Sequence, residues 1–395
     1  MRPLEGLRVV DMTRVLSGPY CTMQLADMGA EVIKIEHPEK GDDTRAFAPP
    51  FQGDQAAYFL SVNRNKKSIA LDMKTKAAKE VLWKLIECSD ILVENFKPGA
   101  MDRLGFSYTE VKKRRPKMIY ASISGFGDTG IWADRPGYDV IVQGESGVMD
   151  LTGPKDGAPH KVGVAVSDLV SGLYAAQGIL AALYASKTTG VGDHVRISMY
   201  EATASLLTFN ASIFHATGTS PRRRGNEHPT IVPYQTFEAS DGWINLGVAN
   251  DDLWSRFCDA AERPDLKADS RFTKAPDRVR NRDILVPIVE QVVKQHSRDE
   301  WIARLDKASV PCGAIRTVGE ICTGEGLAAR NMIAEMPHPS AGPVKAIKSP
   351  VHLTTTPLDQ YFAPPRLGEH TKEVLTSVLG YSAAEVDRLA AEKIV

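Results

Sequence analysis

An apolar segment rich in small residues, running from Gly163 to Lys187, constrains the fold of this chain more than any other stretch. Its nearly unbroken run of alanine, glycine and leucine predicts one long helix. Ser171 and Gln177 interrupt the apolar run and no aromatic belt flanks it. A helix in the core of the protein is therefore favoured over a membrane span.

Asp168 is expected in the first turn of this helix. Ser167 is a preferred N-cap residue type, and the helix dipole favours a negative charge at the position that follows. Burying an ionised carboxylate among glycines and alanines costs free energy unless another group uses the charge. From these residues alone, Asp168 either caps the helix or takes part in chemistry.

The first half of the chain alternates strands with helices. A β-rich run at Leu7–Asp11 precedes a turn at Ser17–Pro19 and a helical pattern at Tyr20–Met28. A strand at Glu31–Glu36 completes a strand–helix–strand unit, which implies a parallel sheet. Further strands are predicted at Ser68–Leu71, Asp90–Val93, Lys117–Ser122 and His194–Ser198. The predicted fold class is therefore α/β, with a Rossmann-like parallel sheet. No GxGxxG follows the first strand, which argues against a dehydrogenase.

The length of 395 residues predicts two domains. Between residues 218 and 228 the composition shifts to Gly, Ser, Pro, Arg and Asn, which is typical of a linker. Beyond it, a hairpin closed by Asp241–Gly242 and several helical patterns predict a smaller α+β domain over residues 229–330. The large domain is predicted over residues 1–217 and is completed by residues 331–395.

The composition narrows the class of protein. With 43% hydrophobic and 25% charged residues and a net charge of -1, the chain is typical of a soluble globular protein. This near-neutral net charge predicts binding to neither nucleic acid nor an anionic membrane. The five cysteines are widely spaced and form no metal-ligand grouping with the nine histidines, so we predict no metal site. Reduced thiols and the absence of a targeting segment indicate the cytoplasm.

Cations are concentrated in the long polar stretch between two predicted strands. Arg45, Arg64 and Lys67 could meet phosphates or carboxylates there, although a solvated or ion-paired face is an open alternative. The segment Asn95–Gly105 lies just past the strand at Asp90–Val93. Because ligands bind at the carboxyl ends of strands in open parallel sheets, this segment is a candidate binding site.

Several motifs in a fixed order carry a resemblance to a known family. They are PLEG at 3–6, VVDMTRVLSGP at 9–19, GAEVIKIE at 29–36, NxNKxSI at 63–69, VENFKPGAMDRLG at 93–105, RPGYD at 135–139, GVAVSDL at 163–169, GNEHP at 225–229 and LGEHT at 367–371. Together they resemble the family III CoA-transferases over essentially the whole length. The combination of SVNRNKK at 61–67 with IVPYQTF at 231–237 is most similar to the glutarate (succinate–hydroxymethylglutarate) group.

The resemblance implies a reaction and an assembly. It implies that CoA moves between an acyl-CoA thioester and a free carboxylic acid, here a dicarboxylate pair such as succinyl-CoA and glutarate. Coenzyme A would be a co-substrate, with no permanently bound cofactor, and the homodimer would be interlocked. Asp168 falls on the family's nucleophilic aspartate. A carboxylate suits that role because it is already ionised at pH 7 and needs no general base.

The resemblance also implies site residues. The positions that match CoA contacts are Val15, His37, Leu71, Lys74, Asn95, Phe96 and Arg103. The positions expected to border the acid substrate are Leu16, Arg45, Arg64, Tyr138 and His228. A dicarboxylate needs a cation for its distal carboxylate, for which an arginine in bidentate geometry is suited. His228 has an open alternative as a hydrogen-bonded structural histidine.

Departures from the pattern leave other functions open. Leu16 replaces a glutamine and His37 an arginine of the oxalate enzyme, and Gly247–Asp251 replaces its glycine-rich lid. A formyl-CoA:oxalate-type transferase is therefore an alternative, as is a non-catalytic CoA-binding module. The 2-methylacyl-CoA racemases share the fold but carry a histidine where Tyr138 stands. A tyrosine, with an ordinary pKa of about 10, is a poor acid–base partner, which favours transfer over racemisation.

Overall fold

The computed structural model describes all residues from Met1 to Val395, which form two compact units. The first unit contains Met1–Met149, Lys161–Thr219 and Leu327–Val395. The second unit contains Asp150–His160 and Ser220–Gly326. Each unit is assembled from segments that are separate in the sequence.

The strands are β1 Arg8–Asp11, β2 Glu31–Glu36, β3 Phe51–Gln52, β4 Gln55–Ala56, β5 Lys66–Ala70, β6 Ile91–Glu94, β7 Ile119–Ser124, β8 His194–Ser198, β9 Tyr234–Ala239, β10 Gly242–Gly247, β11 Cys312–Ala314, β12 Ile333–His338 and β13 Gly342–Ile347.

The α-helices are α1 Ser17–Asp27, α2 Ala57–Val62, α3 Lys76–Glu87, α4 Ala100–Leu104, α5 Tyr108–Arg114, α6 Asp139–Glu145, α7 Val148–Leu151, α8 Val166–Thr189, α9 Met199–Ala204, α10 Thr208–Thr217, α11 Asp251–Ala260, α12 Pro264–Ala268, α13 Ala275–Arg280, α14 Arg282–Val293, α15 Arg298–Lys307, α16 Val318–Thr323, α17 Glu325–Ala329, α18 Thr371–Glu373 and α19 Ala383–Ala391.

The first unit is built on a six-stranded parallel sheet in the order β5-β2-β1-β6-β7-β8. The predicted α/β class with a parallel sheet is confirmed. Strand residues alternate between the two faces, so neighbouring valines enter different cores. Val10 joins the cluster that contains α3, whereas Val9 joins the cluster that contains α8. The sheet is therefore covered on both faces, as parallel sheets are.

Helix α8 has two contrasting faces. Gly172, Ala175 and Ile179 are buried on one face, whereas Tyr174 and Tyr184 are exposed on the other. By length and composition alone this helix could cross a membrane, a test that core helices of soluble proteins also pass. Because Gly172 lacks a side chain, the helices α8 and α1 approach closely. A Cβ atom at this position would lie 2.6 Å from the backbone oxygen of Ser17.

The structure corrects the predicted starts of two helices. Helix α1 begins at Ser17, where the sequence predicts a turn. Pro19 is tolerated there because the first N–H groups of a helix have no partner within the helix. The N-cap position of α8 is Ala165, whose side chain cannot cap, and Ser167 lies inside the helix. The hairpin of β12 and β13 has no counterpart in the prediction.

The second unit contains the three-stranded sheet β11-β10-β9 and its own apolar core, which includes Trp254 and Trp301. Its boundaries differ from the predicted ones, because residues 150–160 and most of the predicted linker belong to it. Arg223 Nη1 donates to Asp150 Oδ1 at 2.7 Å and to the backbone oxygen of the same residue at 2.9 Å. This non-local contact joins two segments that look independent in the sequence.

Candidate active site

The Asp168 carboxylate lies where α8 meets the N-terminus of α1. Leu16, the N-cap residue of α1, has no side-chain oxygen with which to cap that helix. The backbone N–H and the hydroxyl group of Ser17 lie near the Asp168 carboxylate and favour its ionised form. Asp168 thus lies beside the uncapped start of α1, while it remains in the first turn of its own helix. Two helix N-termini converge on one carboxylate.

A second carboxylate holds the start of α8. Asp139 Oδ1 accepts from the Ser167 backbone N–H at 2.9 Å, and its Oδ2 accepts from Gln143 Nε2 at 2.7 Å. Gln143 Oε1 in turn accepts from the Val162 N–H at 2.8 Å. Asp139 therefore caps α8 from another helix, which is the role the sequence assigned to Ser167.

Burial raises the pKa of Asp168 to about 6, and the negative charge of Asp139 acts in the same direction. The two donors of Ser17 oppose this rise because they stabilise the ionised form. Tyr58 faces the same carboxylates, and burial together with their charges raises its pKa. At pH 7 Asp168 is mostly ionised, yet it is more basic than an ordinary aspartate, as suits a nucleophile.

The turn before α1 is strained and is held by contacts from two other loops. Val15 has φ 67°, a left-handed conformation that is unfavourable for a β-branched residue. Its N–H donates to Asp42 Oδ1 at 3.3 Å. Asn95 binds Arg14 in both directions: its Oδ1 accepts from the Arg14 N–H, and its Nδ2 donates to the Arg14 backbone oxygen, each at 2.8 Å. The position of Ser17 is thereby set by residues distant in sequence.

Two buried lysine–aspartate pairs stabilise this turn. Lys34 Nζ lies 2.8 Å from Asp42 Oδ2 and donates to the Thr13 backbone oxygen at 2.8 Å. Burial opposes ionisation of Asp42, but the Lys34 charge together with hydrogen bonds from Lys34 and Thr44 lowers the Asp42 pKa to about 2. Lys66 Nζ lies 3.1 Å from Asp11 Oδ2, and burial lowers the pKa of Lys66 to about 8. These paired charges fix the ends of strands β1, β2 and β5 relative to one another.

Most of the predicted CoA contacts follow the carboxyl ends of the central strands. Val15 comes after β1, His37 after β2, Leu71 after β5, and Asn95 and Phe96 after β6. Their order in the sheet brings them to a single edge of the first unit, where open parallel sheets bind ligands.

The remaining predicted CoA contacts are cations. Lys74 and Arg103 are exposed and form no ion pair with another side chain. Arg14, which the sequence analysis did not single out, is a third exposed cation. Its guanidinium lies 5.3 Å from the centre of the Phe96 ring. Only its place in the VVDMTRVLSGP motif could have indicated it.

The two arginines predicted to bind the distal carboxylate already have partners. Arg45 Nε and Nη2 each lie 2.7 Å from a Glu36 carboxylate oxygen. Arg64 is 4% exposed, and its Nη2 lies 2.6 Å from Asp27 Oδ2. Lys67 is similarly engaged by Glu31 and Glu373. We therefore correct these assignments: the three cations have structural partners, and the ion-pairing alternative describes them.

The other substrate positions are scattered. Leu16 is buried and packs in one apolar cluster with Tyr58 and Leu169, which places it close to the carboxylate. Tyr138 is 72% exposed, immediately before α6. His228 belongs to the second unit, where its Nδ1 accepts from the Thr230 N–H at 3.2 Å. Ser17, Tyr58 and Asp139 were not predicted, because no local pattern indicates contacts to Asp168.

Comparisons with known proteins show which family the chain resembles. The sequence pattern of CoA-transferase family III matches residues 4–371. The chain is 36% identical over its full length to succinyl-CoA:glutarate CoA-transferase of Mus musculus, covering 91% of that protein. It is 43% identical to acetyl-CoA:oxalate CoA-transferase of Acetobacter aceti, over 84% of this chain and 85% of that protein. A crystal structure of a CAIB/BAIF family protein from Brucella suis matches with a TM-score of 0.89 and 38% identity, covering 95% of this chain and 99% of that one.

Taken with the parallel sheet, these similarities define the chain as an acyl-CoA:carboxylate CoA-transferase. The chain belongs to CoA-transferase family III, as its motifs predicted.

Proposed function

We propose that the protein exchanges CoA between two dicarboxylic acids, such as succinate and glutarate, with Asp168 as the nucleophile. The observation that carries the proposal is the Asp168 carboxylate itself, partly buried in the first turn of α8 beside the start of α1, with a pKa raised to about 6. The relatives from mouse and Acetobacter are named for glutarate and oxalate, both dicarboxylic acids, which supports the substrate class.

The first half of the reaction transfers CoA to the enzyme. An Asp168 oxygen attacks the thioester carbon of the donor; a C–O bond forms, the C–S bond breaks, and a mixed anhydride and CoA thiolate result. The thiolate then attacks the Asp168 Cγ atom, forming a C–S bond and releasing the donor acid as a carboxylate. No proton is gained or lost, so no general acid or base is required.

The second half repeats these steps in reverse with the acceptor. Its carboxylate attacks the aspartyl thioester, and CoA thiolate leaves as a new anhydride forms. The thiolate then attacks the acceptor's acyl carbon, which releases the new CoA ester and restores the Asp168 carboxylate. Water must be excluded throughout, because anhydride and thioester both hydrolyse.

CoA is proposed to lie along the carboxyl edge of the parallel sheet, beside His37, Leu71 and Phe96. Lys74, Arg103 and Arg14 are the exposed cations suited to its phosphates. CoA acts here as a co-substrate, and the mechanism needs no other cofactor. We also place the reaction in the cytoplasm, which agrees with five free cysteines.

Incubation with succinyl-CoA and a panel of acids tests the proposal, with new CoA esters detected by mass spectrometry. We expect glutaryl-CoA from glutarate and little product from monocarboxylic acids. Asp168→Ala should abolish exchange while Asp134→Ala, an exposed aspartate, should not. Undiminished exchange by Asp168→Ala would refute the nucleophile. Incorporation of solvent deuterium at the α-carbon without any new ester would favour the racemase alternative.

A homodimer is the proposed assembly. Helix α10 has no buried residue although it carries Phe209, Ile213 and Phe214, which are 55%, 38% and 45% exposed. On α8, Leu173 and Tyr184 are also exposed. Two apolar helix faces without partners in one unit are typical of an interface, and a second copy of this chain is the partner that the family resemblance implies. An interlocked arrangement agrees with the division of each unit into separate chain segments.

A further inference from the structure

We propose that Gln143 is a positioning residue for the nucleophile: its amide fixes Asp139, and Asp139 fixes the first turn of α8, on which Asp168 lies. The inference rests on the proposed role of Asp168 as nucleophile and extends it to a side chain that is fully buried. The argument depends on a chain of hydrogen bonds that runs from α6 to the start of α8.

The side-chain amide of Gln143 is bound at both of its ends. Its Nε2 donates to Asp139 Oδ2 at 2.7 Å, and its Oε1 accepts from the Val162 N–H at 2.8 Å. Asp139 lies four positions earlier on α6, where a glutamine and an aspartate are neighbours on one face of the helix. The other oxygen of Asp139 accepts from the Ser167 N–H at 2.9 Å. Helix α6 therefore holds both ends of the segment 162–167, which leads into α8.

The two partners of Gln143 make opposite demands on its side chain. The ionised Asp139 carboxylate can only accept a hydrogen bond, and the Val162 N–H can only donate one. An amide meets both demands in a single orientation, with its nitrogen towards Asp139 and its oxygen towards Val162. A carboxylate would repel Asp139, and an aliphatic side chain would leave both partners without this hydrogen bond. The contact therefore requires an amide at position 143.

The first turn of α8 depends on an acceptor from outside the helix. Its N-cap residue, Ala165, has no side-chain oxygen, and Asp168 is the third residue of the helix. From that position an acidic side chain often turns back to the unpaired N–H groups at the start of its own helix. Asp168 makes no such bond here, and Asp139 accepts from the Ser167 N–H instead. By fixing Asp139, Gln143 holds the backbone that carries Asp168 and leaves its carboxylate free to attack.

The first test compares two glutamine-to-leucine variants of the full-length enzyme. Gln143→Leu should lower kcat by about 100-fold, since a misplacement of about 1 Å can cost that much. Its KM for succinyl-CoA should be nearly unchanged, because no predicted CoA contact belongs to this chain of hydrogen bonds. Gln52→Leu is the matched control: it removes an amide that donates to the backbone oxygens of Ala341 at 3.1 Å and Pro343 at 2.9 Å. It should keep the wild-type kcat even where its unfolding temperature falls as far. A wild-type kcat in Gln143→Leu, or equal losses in both variants, would overturn the proposal.

A second variant, Gln143→Glu, converts the need for a donor into a pH dependence. When protonated, the introduced carboxyl donates to Asp139 and accepts from Val162, as the amide does. When ionised, it repels Asp139. Burial and the Asp139 charge raise the pKa of the introduced carboxyl. The ratio of the variant kcat to the wild-type kcat should therefore be highest at low pH and fall as pH rises. Gln143→Leu, which introduces no ionisable group, should show no such fall.

The charged surroundings of position 143 are the same in the wild type and in both variants. Asp139 is the charged group in hydrogen-bond contact with it. Helices α8 and α9 pack against α6 and carry the carboxyls of Asp168 and Glu201, and Tyr58 of α2 faces Asp139 and Asp168. Taking the ratio to the wild type removes the titration of Asp168 itself. A ratio independent of pH in Gln143→Glu, with a lowered unfolding temperature, would assign position 143 a structural role and overturn the proposal.

The outcomes also distinguish this proposal from the proposed function. A wild-type kcat in Gln143→Leu together with no exchange in Asp168→Ala would remove the positioning role and leave the nucleophile in place. Full exchange in Asp168→Ala would instead refute the proposed function, and this inference with it. The expected result is no exchange in Asp168→Ala, slow exchange in Gln143→Leu and pH-dependent recovery in Gln143→Glu.

Discussion

At the scale of the residue, the reactivity of Asp168 depends on opposing electrostatic influences. Burial and the charge of Asp139 make its carboxylate harder to ionise, and the donors of Ser17 make it easier. The balance leaves a pKa of about 6. A more basic carboxylate is a better nucleophile, yet at neutral pH it is still available in its charged form. The surroundings thus adjust the carboxylate without any residue that removes a proton.

This balance predicts how activity depends on pH. Wild-type kcat/KM should fall as pH decreases through about 6, because protonated Asp168 cannot attack. Asp139→Asn removes the charge that raises this pKa, so the acid limb should move to lower pH. Glu145→Gln, on the same helix but exposed and paired with Arg135, is the matched control and should not move it. An acid limb at the same pH in Asp139→Asn would contradict this account.

At the scale of the element, the site depends on the distance between α1 and α8. Gly172 permits the close approach of their backbones, which brings Asp168 to the N-terminus of α1. Asp139 then fixes the start of α8 through the N–H of Ser167. The start of α8 is therefore held by a carboxylate of α6, and α8 packs on α1 through a residue without a side chain.

Gly172→Ala should separate these helices. The added Cβ would meet backbone at 2.6 Å, which cannot be relieved by moving a side chain, so overpacking should cost about 1–3 kcal/mol of unfolding free energy. Exchange activity should fall more steeply than stability. Gly144→Ala, in α6, is the control: its Cβ would lie 3.7 Å from Met149, an ordinary contact. Thermal unfolding and exchange rates measure both effects, and a fully active Gly172→Ala enzyme would show that the approach is unimportant.

The sequence was sufficient for elements with clear boundaries. Strand β2 was predicted at its exact limits, since EVIKIE is rich in β-branched residues and lies shortly after Gly29, which ends the preceding helical pattern. The start of α1 was missed because Gly18–Pro19 is typical of a turn, whereas here proline fits the unbonded first turn of a helix. Local patterns therefore predict the sheet better than they predict where helices begin.

Only the part of the site that lies in recognised motifs could be predicted from the sequence. Asp168 came from the resemblance, but the cap that Asp139 provides joins residues 28 positions apart and has no local signal. The partners of Arg45 and Arg64, Glu36 and Asp27, lie 9 and 37 positions away and likewise have no local signal. A cation in a polar stretch looks free until the fold shows which carboxylate faces it.

At the scale of the whole molecule, exposed apolar surface indicates assembly. The faces of α8 and α10 carry aromatic side chains that nothing in the chain covers. Burying such surface in a second copy is favourable by roughly 25 cal/mol per Å². The proposed dimer would be obligate if its interface completes the core of each subunit.

Charged substitutions on α10 test the dimer. Phe209→Asp with Phe214→Asp should weaken it, because desolvating carboxylates in an apolar contact is costly. Sedimentation velocity should show a dimer for the wild type and dissociated or misfolded protein for the double variant. Val318→Asp, at an exposed apolar residue of the second unit, should remain dimeric. A monomeric wild type at assay concentration would contradict the proposed assembly.

The left-handed conformation of Val15 has a consequence for engineering. An ordinary residue in that conformation costs about 1–2 kcal/mol, and glycine would avoid the cost. Selection for thermal stability alone would therefore favour glycine at this position. The same change would loosen the turn that sets the start of α1 beside Asp168. Heat resistance and turnover should therefore trade against each other at this single residue.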